Sequence, residues 1–179
     1  RFIALAGTPI PMITGCDLPA IAREVEGRTN IPSFAVPSNG IGTYVAGAGQ
    51  ALRLYAERFI TSRPEKRKNA VNILGATPLD FSVNGCVQSM ARRLEEAGFT
   101  LQSVFAMSSS IDAIDKAGAA EANLVISSVG LPAAKYLQAQ FGTPYVIGAP
   151  FGDFFSPYVF DALRESIRTV SLERVLIKP

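Results

Sequence analysis

Histidine and tryptophan are absent from this 179-residue chain, and cysteine occurs twice, at Cys16 and Cys86. Without histidine there is no Ser-His-Asp or Cys-His catalysis and no HExxH metal site. The side chain that most readily moves protons near neutral pH is missing with it. The two cysteines are far apart and form no CxxC pair. A disulfide between them stays open on these grounds, while reduced, buried thiols suit a cytosolic α/β protein. Excess charge is lacking too: 17 Lys and Arg stand against 15 Asp and Glu, a formal net charge of +2. No face masses basic residues, so nucleic acid is not an expected partner. No apolar run is long enough to span a bilayer, and no signal peptide is visible. The expectation is a cytoplasmic protein with no membrane partner.

What the chain does have is apolar patterning. It is 48% hydrophobic and 18% charged, a balance that folds around a core rather than staying disordered. The length suits one domain, or one and part of another. Arg1 has no methionine before it, and residues 2–5 enter an apolar strand at once. The expectation is a fragment of a longer protein. The organising stretch is residues 70–98. Val71, Ile73 and Leu74 form the short apolar run of a buried parallel strand. Gly75 ends it, and Thr77, Pro78 and Asp80 mark a loop. Val83, Cys86, Val87, Met90, Ala91 and Leu94 then share one helical face. They predict a helix over 82–97, capped by Ser82 and followed by Gly98.

Strands and helices alternate around this unit. Further strands are expected at 2–5, 34–36, 101–106, 124–128 and 145–147. Asp17 caps a helix over 18–26, with Gly27 past its end. A glycine-rich turn over 37–42 precedes a helix to about Phe59, whose small residues 46–49 predict a close neighbour, backbone or ligand. Ser109 and Asp112 suit a capping box for a short helix, and longer helices follow at 131–141 and 155–167. Val175, Leu176 and Ile177 are able to begin another element. The basic run Arg63, Lys66, Arg67, Lys68 beside Pro64 reads as a solvated linker. Alternation of this kind implies right-handed crossovers and a Rossmann-like, three-layer αβα fold with parallel sheets. The expected division is 1–62 as the C-terminal part of a first domain, 63–69 as linker, 70–152 as a second Rossmann-like domain, and 153–179 as a helix and connection.

Ligands of such sheets bind at the carboxyl ends of the strands. Thr77, Asp80, Ser108, Ser109 and Gly130 fall there. Hydroxyls at residues 108–110 and open amides at Gly130 and Gly148 suit an anion such as phosphate or carboxylate. Capping of the helix at Ile111 accounts for the serines equally well. A pocket bounded by residues 76–80 and 107–110 is expected. Gly40-Ile41-Gly42 fails the dinucleotide fingerprint, whose third glycine would fall at Val45, and reads as a structural turn. A phosphate loop over residues 40–49 is the competing view. Asp17, Asp80, Asp112 and Asp153 form an acid set, of which Asp80 and Asp153 lie on loops able to face one crevice. Paired carboxylates hold metals or trade protons, but aspartate is also an ordinary turn and cap residue. Cys16 opens a helix, where a thiol is activated or merely fills a cap, and Cys86 lies on the apolar helical face as core.

Several local patterns follow one another in a telling order. Thr8-Pro9-Ile10-Pro11-Met12-Ile13 leads to Gly15-Cys16-Asp17, then comes Ile41-Gly42-Thr43-Tyr44-Val45-Ala46-Gly47. Val71-Asn72-Ile73-Leu74-Gly75 with Asp80, Asn123-Leu124-Val125, Phe141-Gly142-Thr143-Pro144 and Phe151-Gly152 complete the series. This order resembles the nitrogenase component 1 superfamily: nitrogenase molybdenum-iron protein subunits, the scaffold proteins for its cofactor, and dark-operative protochlorophyllide reductase. The resemblance implies a nitrogenase/chelatase-like fold and part of a subunit of a two-component oxidoreductase. An ATP-dependent iron-sulfur reductase would deliver electrons to a metal cluster between Rossmann-like domains, and a sister component 1 subunit would complete a homo- or hetero-oligomer. It places the functional cleft between domains, and Thr43 where some members carry a hydroxyl near the cluster. The family's ligand cysteine aligns with Thr8 or Pro9, and Cys16 replaces the first acid of its Gly-Asp-Asp turn. No cofactor is therefore expected in these residues, and the isolated fragment is expected to be inactive. An iron-sulfur or related metal cluster belongs to the full-length complex by resemblance. The alternative is a non-redox Rossmann-like module that clamps a small molecule or metal chelate between domains. The missing histidine and ligand cysteine favour it.

Overall fold

The computed structural model describes residues 1–82 and 85–176, with side chains for 1–82 and 85–170. Strands β1 (Ile3–Ala6) and β2 (Ser33–Val36) pair in parallel. Helices α1 (Pro9–Ile13) and α2 (Leu18–Thr29) lie between them in the chain, and α3 (Tyr44–Phe59) follows. The main sheet holds β3 (Ala70–Leu74), β4 (Thr100–Val104), β5 (Ala122–Val125) and β6 (Tyr145–Ile147). All four are parallel, in the order β4-β3-β5-β6. Helices α4 (Cys86–Glu96), α5 (Ile111–Asp115), α6 (Leu131–Phe141) and α7 (Gly152–Leu176) connect and flank them. This is the Rossmann-like αβα architecture that the alternation predicts.

Every residue of β3 is buried, because helices cover both faces of the sheet. On one face Val71, Ile73, Val104 and Leu124 meet Val87, Met90 and Leu94 of α4 and Leu163 of α7. On the other, Leu74, Phe105 and Val125 meet Ala56 of α3, Ile60 just beyond it, and Ala133, Ala134 and Leu137 of α6. A polar rung crosses this interior. Ser103 Oγ donates to Asn72 Oδ1 at 2.7 Å, and Asn72 Nδ2 donates to Asn123 Oδ1 at 2.8 Å and to the Ala117 carbonyl at 3.0 Å. Backbones also approach closely just past β3. A Cβ on Gly130 would lie 2.5 Å from the Leu74 carbonyl carbon. Gly49 of α3 lies against the Val129 carbonyl and Pro132, so the close neighbour of that small-residue stretch is protein.

Several boundaries differ from the sequence expectation, each for a local reason. Helix α2 runs through Gly27 to Thr29 and stops at Asn30, whose φ of 55° takes the left-handed cap. Helix α4 starts at Cys86 behind Gly85 at φ +86°, so Gly85 rather than Ser82 holds the N-cap position; Val83 lies outside the described residues. Strand β4 ends at Val104, before Ala106 at φ 69°. Strand β5 ends at Val125 because residues 128–130 turn into a 3-10 helix. Ser110, not Ser109, caps α5 by accepting from the Ala113 amide at 3.2 Å. Helix α7 begins at Gly152 and continues through Leu176, so no separate element starts at Val175; Ile177 lies outside the described residues. The basic linker is stitched to the fold rather than merely solvated. Arg63 binds the Gln140 carbonyl, Lys66 the Ala120 carbonyl and Thr143, and Arg67 the Gln102 side chain.

Met90 is 1% exposed, in the core under α4. Met90→Asp strands a carboxylate there, at a cost of about 3–5 kcal/mol. The expected result is loss of the cooperative thermal transition; an unchanged melting temperature would show the face to be wrong. Two glycines should part company under the same change. Gly130→Ala forces a Cβ into the Leu74 backbone and should cost about 1–3 kcal/mol. Gly47 has open space around its Cβ position, so Gly47→Ala should stabilise α3 by up to about 1 kcal/mol. Urea unfolding of both variants checks the contrast.

Candidate functional site

The loops after β1, β2 and β3 meet at one end of the molecule. Asn39 Oδ1 accepts from the amides of Ile41 and Gly42 at 3.0 and 3.2 Å and folds the glycine turn. Gly40, at φ +71°, lies against the Pro9 ring of α1, where a Cβ would come within 2.6 Å of Pro9 Cδ. Thr43 then caps α3, accepting from the Ala46 amide at 3.3 Å. One residue later, Tyr44 reaches across to the loop after β3. Its hydroxyl lies against Thr77 Oγ1, with either able to donate to the other, and both hydroxyls are within reach of Asp80 Oδ2, at 3.3 Å from Tyr44 and 3.1 Å from Thr77. Thr77 is buried while Asp80 is exposed. The group is a carboxylate held by two hydroxyls at the protein surface, able to orient a polar ligand group.

Ser108 and Ser109 lie elsewhere, on an open cleft of about 360 Å³ between the small sheet, α3 and the loop after β4. Its walls are mainly apolar: Phe2 and Phe34 from the small sheet, Leu52 and Tyr55 from α3, Phe105 and Met107 from the far side. Residues 107–109 line it and residues 76–80 do not, so this cleft is not bounded by both of the expected loops. The Ser109 hydroxyl accepts from the Val104 amide at 2.8 Å and so finishes β4. Gly130 offers no open amide, since its N–H donates to the Ser127 carbonyl at 3.0 Å and its Cα faces Leu74. The fold therefore unites Thr77 and Asp80, sets Thr43 beside them through Tyr44, packs Gly130 against Leu74 and Gly75 at the start of the same loop, and places Ser108 and Ser109 on the separate apolar cleft.

The acid set scatters as well. Asp17 caps α2, Asp112 sits in the first turn of α5, and Asp153 pairs with Arg93 at 2.8 Å. Cys16 is exposed, and Cys86 opens α4 partly buried against the core. Among the described residues no three His, Cys, Asp or Glu side chains gather into a metal-ligating group. No helix among them is long and apolar enough to cross a membrane. Tyr44 and Tyr55 are the residues that pattern reading missed. Tyr44 carries only its place in the first turn after a capping threonine, and its partner lies 33 residues away. Tyr55 reads as one more core position of α3, yet its hydroxyl donates to Asp115 Oδ1 at 2.7 Å.

Burial, then the Asp115 hydrogen bond, pushes the Tyr55 phenol above its ordinary value. The unfolded chain ionises near pH 10 while the folded one holds its proton, so stability falls as pH rises beyond that point. Tyr55→Phe should flatten the decline between about pH 10 and 12, as read by urea unfolding across that range. An identical slope in both proteins would rule out the buried phenol.

Comparison with known proteins adds the family. The sequence model for nitrogenase component 1 type oxidoreductase matches residues 1–169. A light-independent protochlorophyllide reductase subunit of Nostoc punctiforme is 35% identical over 86 residues, covering 48% of this chain and 17% of the relative. The corresponding protein of Chloroflexus aggregans is 33% identical over 97 residues, covering 54% and 18%. A solved structure of nitrogenase Cp1 at pH 6.5 superposes with a TM-score of 0.75 at 20% identity, over 97% of this chain and 35% of its own. The chain thus spans about a sixth of the length of these curated relatives and about a third of that solved chain. With the parallel sheets, the flanking helices and a match over nearly all its residues, the chain belongs to the nitrogenase component 1 type oxidoreductase family.

Proposed function

We propose that the protein containing this chain is a component 1 subunit of a two-component oxidoreductase, reduced by an ATP-dependent iron-sulfur partner and paired with a sister component 1 subunit. The observation that carries the proposal is the family match, which runs through both sheets and the connection between them. Relatives named as protochlorophyllide reductase subunits support a reductive reaction. The residues present do not make a cluster site by themselves. Iron-sulfur clusters need thiolates, the turn after β1 begins with Thr8 and Pro9, and Cys16 stands alone beyond it. Any cluster would draw its ligands from the rest of the subunit or from its sister. Thr43, Thr77 and Asp80 remain the candidate ligand-facing residues, with Tyr44 added. A cytoplasmic location goes with this reading. The same donor set favours a second one, a non-redox module that holds a small molecule or metal chelate.

The test uses the full-length protein, purified anaerobically with its sister subunit. It is mixed with the reduced iron-sulfur ATPase, and oxidation of the reductase is followed by its visible absorption. The expected result is rapid oxidation that requires MgATP. Equal oxidation rates with and without the protein would overturn the redox reading and leave the binding module.

A further inference from the structure

We propose that residues 60–69 are a rigid strut, pinned by Lys66, that makes the small sheet and the main sheet move as one body. The segment joins α3 to β3 and carries Arg63, Lys66, Arg67 and Lys68. A short basic connector between two sheets is an ordinary place for a hinge, which absorbs changes of φ and ψ over a few residues. Here backbone and side chains are both committed. The Arg67 amide donates to the Ala119 carbonyl at 2.9 Å, and the Asn69 amide to Glu121 Oε2 at 2.6 Å. The Asn69 carbonyl accepts from the Thr100 amide at 2.9 Å, and the Arg67 carbonyl from the Ala70 amide at 3.0 Å. Gly118 lies directly under the segment: a Cβ there would come within 3.2 Å of Pro64 Cδ and 3.3 Å of the Ser62 carbonyl oxygen.

Lys66 is half-buried, and its ammonium donates to the Ala120 carbonyl at 2.7 Å and to Thr143 Oγ1 at 2.5 Å. Both acceptors belong to the interior, Ala120 at 0% exposure and Thr143 at 1%. Ala120 precedes β5 and Thr143 precedes β6, so one cation joins the connector to the starts of two neighbouring strands. Removing it leaves a buried carbonyl and a buried hydroxyl without their charged donor, and bonds from charged donors are the stronger kind. The other end of the segment is held as well. Ile60 is buried in the core beside α6, and Tyr136 of α6 donates to its carbonyl at 3.4 Å. The small sheet is fastened to α3 in turn, by the rings of Phe2, Phe34, Tyr55 and Phe59 and by the Arg58–Glu26 pair at 2.6 Å. The path from the small sheet to β3 is thus braced at every step, and the cleft between the sheets keeps its width.

The test uses the full-length protein, with spin labels on unnatural amino acids at the exposed positions of Arg23 in α2 and Arg92 in α4. Pulsed electron paramagnetic resonance then reads the distance between the two sheets. The expected result is one narrow distribution in the parent and a broad one in Lys66→Met, which keeps the aliphatic stem and removes the ammonium. Thr143→Val removes one acceptor only and should broaden the distribution less. Lys68→Met is the control and should match the parent, because Lys68 is exposed and without a partner among the described residues. Trypsin gives a second readout on unlabelled protein. Cleavage after Arg67 should be at least about tenfold faster in Lys66→Met than in the parent, since cleavage follows the population of the open form. Cleavage after Arg92 should keep the parent rate. A broad or two-peaked distribution in the parent overturns the proposal whether or not the variants fold. So does a distribution that stays narrow in both Lys66→Met and Thr143→Val, or equal acceleration after Arg67 and Arg92, which marks general loosening. None of these readouts depends on the component 1 reading.

Discussion

The structure depends on one constraint: β3 has no solvent-facing side. A strand covered on both faces can read as an unbroken apolar run, and such a run carries little register information. The polar rung supplies it. Asn72 lies opposite Ser103 on one neighbour and Asn123 on the other, at a single level of the sheet. A slip along either pair would leave buried amide or hydroxyl groups without partners, at about 1–3 kcal/mol each. Apolar burial makes the sheet stable, and the rung decides which residues face each other. The Asn123 Nδ2 group alone finds no protein acceptor among the described residues.

Helix α3 transmits that order to the small sheet. Its inner residues serve two cores. Ala56 packs toward the main sheet with α6, while Tyr55 and Phe59 meet Phe2 at ring distances of 5.3 and 5.5 Å. Gly49 lets the helix approach residues 129–132 closely, and the Tyr44 hydroxyl fastens its first turn to the loop after β3. A two-stranded sheet is marginal in isolation. Here it is held by a helix that the larger core already fixes. Glu26 adds a polar tie: the Ser33 amide and then the Arg58 guanidinium hold its carboxyl below the ordinary range, joining α2, β2 and α3.

This arrangement sorts the candidate chemistry into two places. Around α1 and the start of α3 the surface is apolar and uncharged, with Thr77, Asp80 and Tyr44 on its border. Between the sheets the cleft is aromatic, and its serines complete backbone hydrogen bonds or line an apolar wall. Neither place gathers thiolates.

Much of the architecture was legible in the residues. The helix over Leu131–Phe141 and the strand over Tyr145–Ile147 follow directly from apolar spacing and from the Gly142 stop. The α4 face followed from Val87, Met90 and Leu94, because helical period and burial are the same fact seen twice. The ordered motifs pointed to the family for a similar reason: turns and glycines sit where strands must end. The site was less legible. Ser109 and Ser110 are neighbours with the same side chain, yet one finishes a strand and the other caps a helix. Gly130 reads as an open amide in sequence and proves to be a packing contact against Leu74. Tyr44, Thr77 and Asp80 meet only because two loops close on each other. Local period and turn chemistry act over a few residues, so the sequence by itself determined elements, faces and family. Which loops touch depends on strand order and on how closely α3 approaches the main sheet, and these are properties of packing that only the tertiary structure decides.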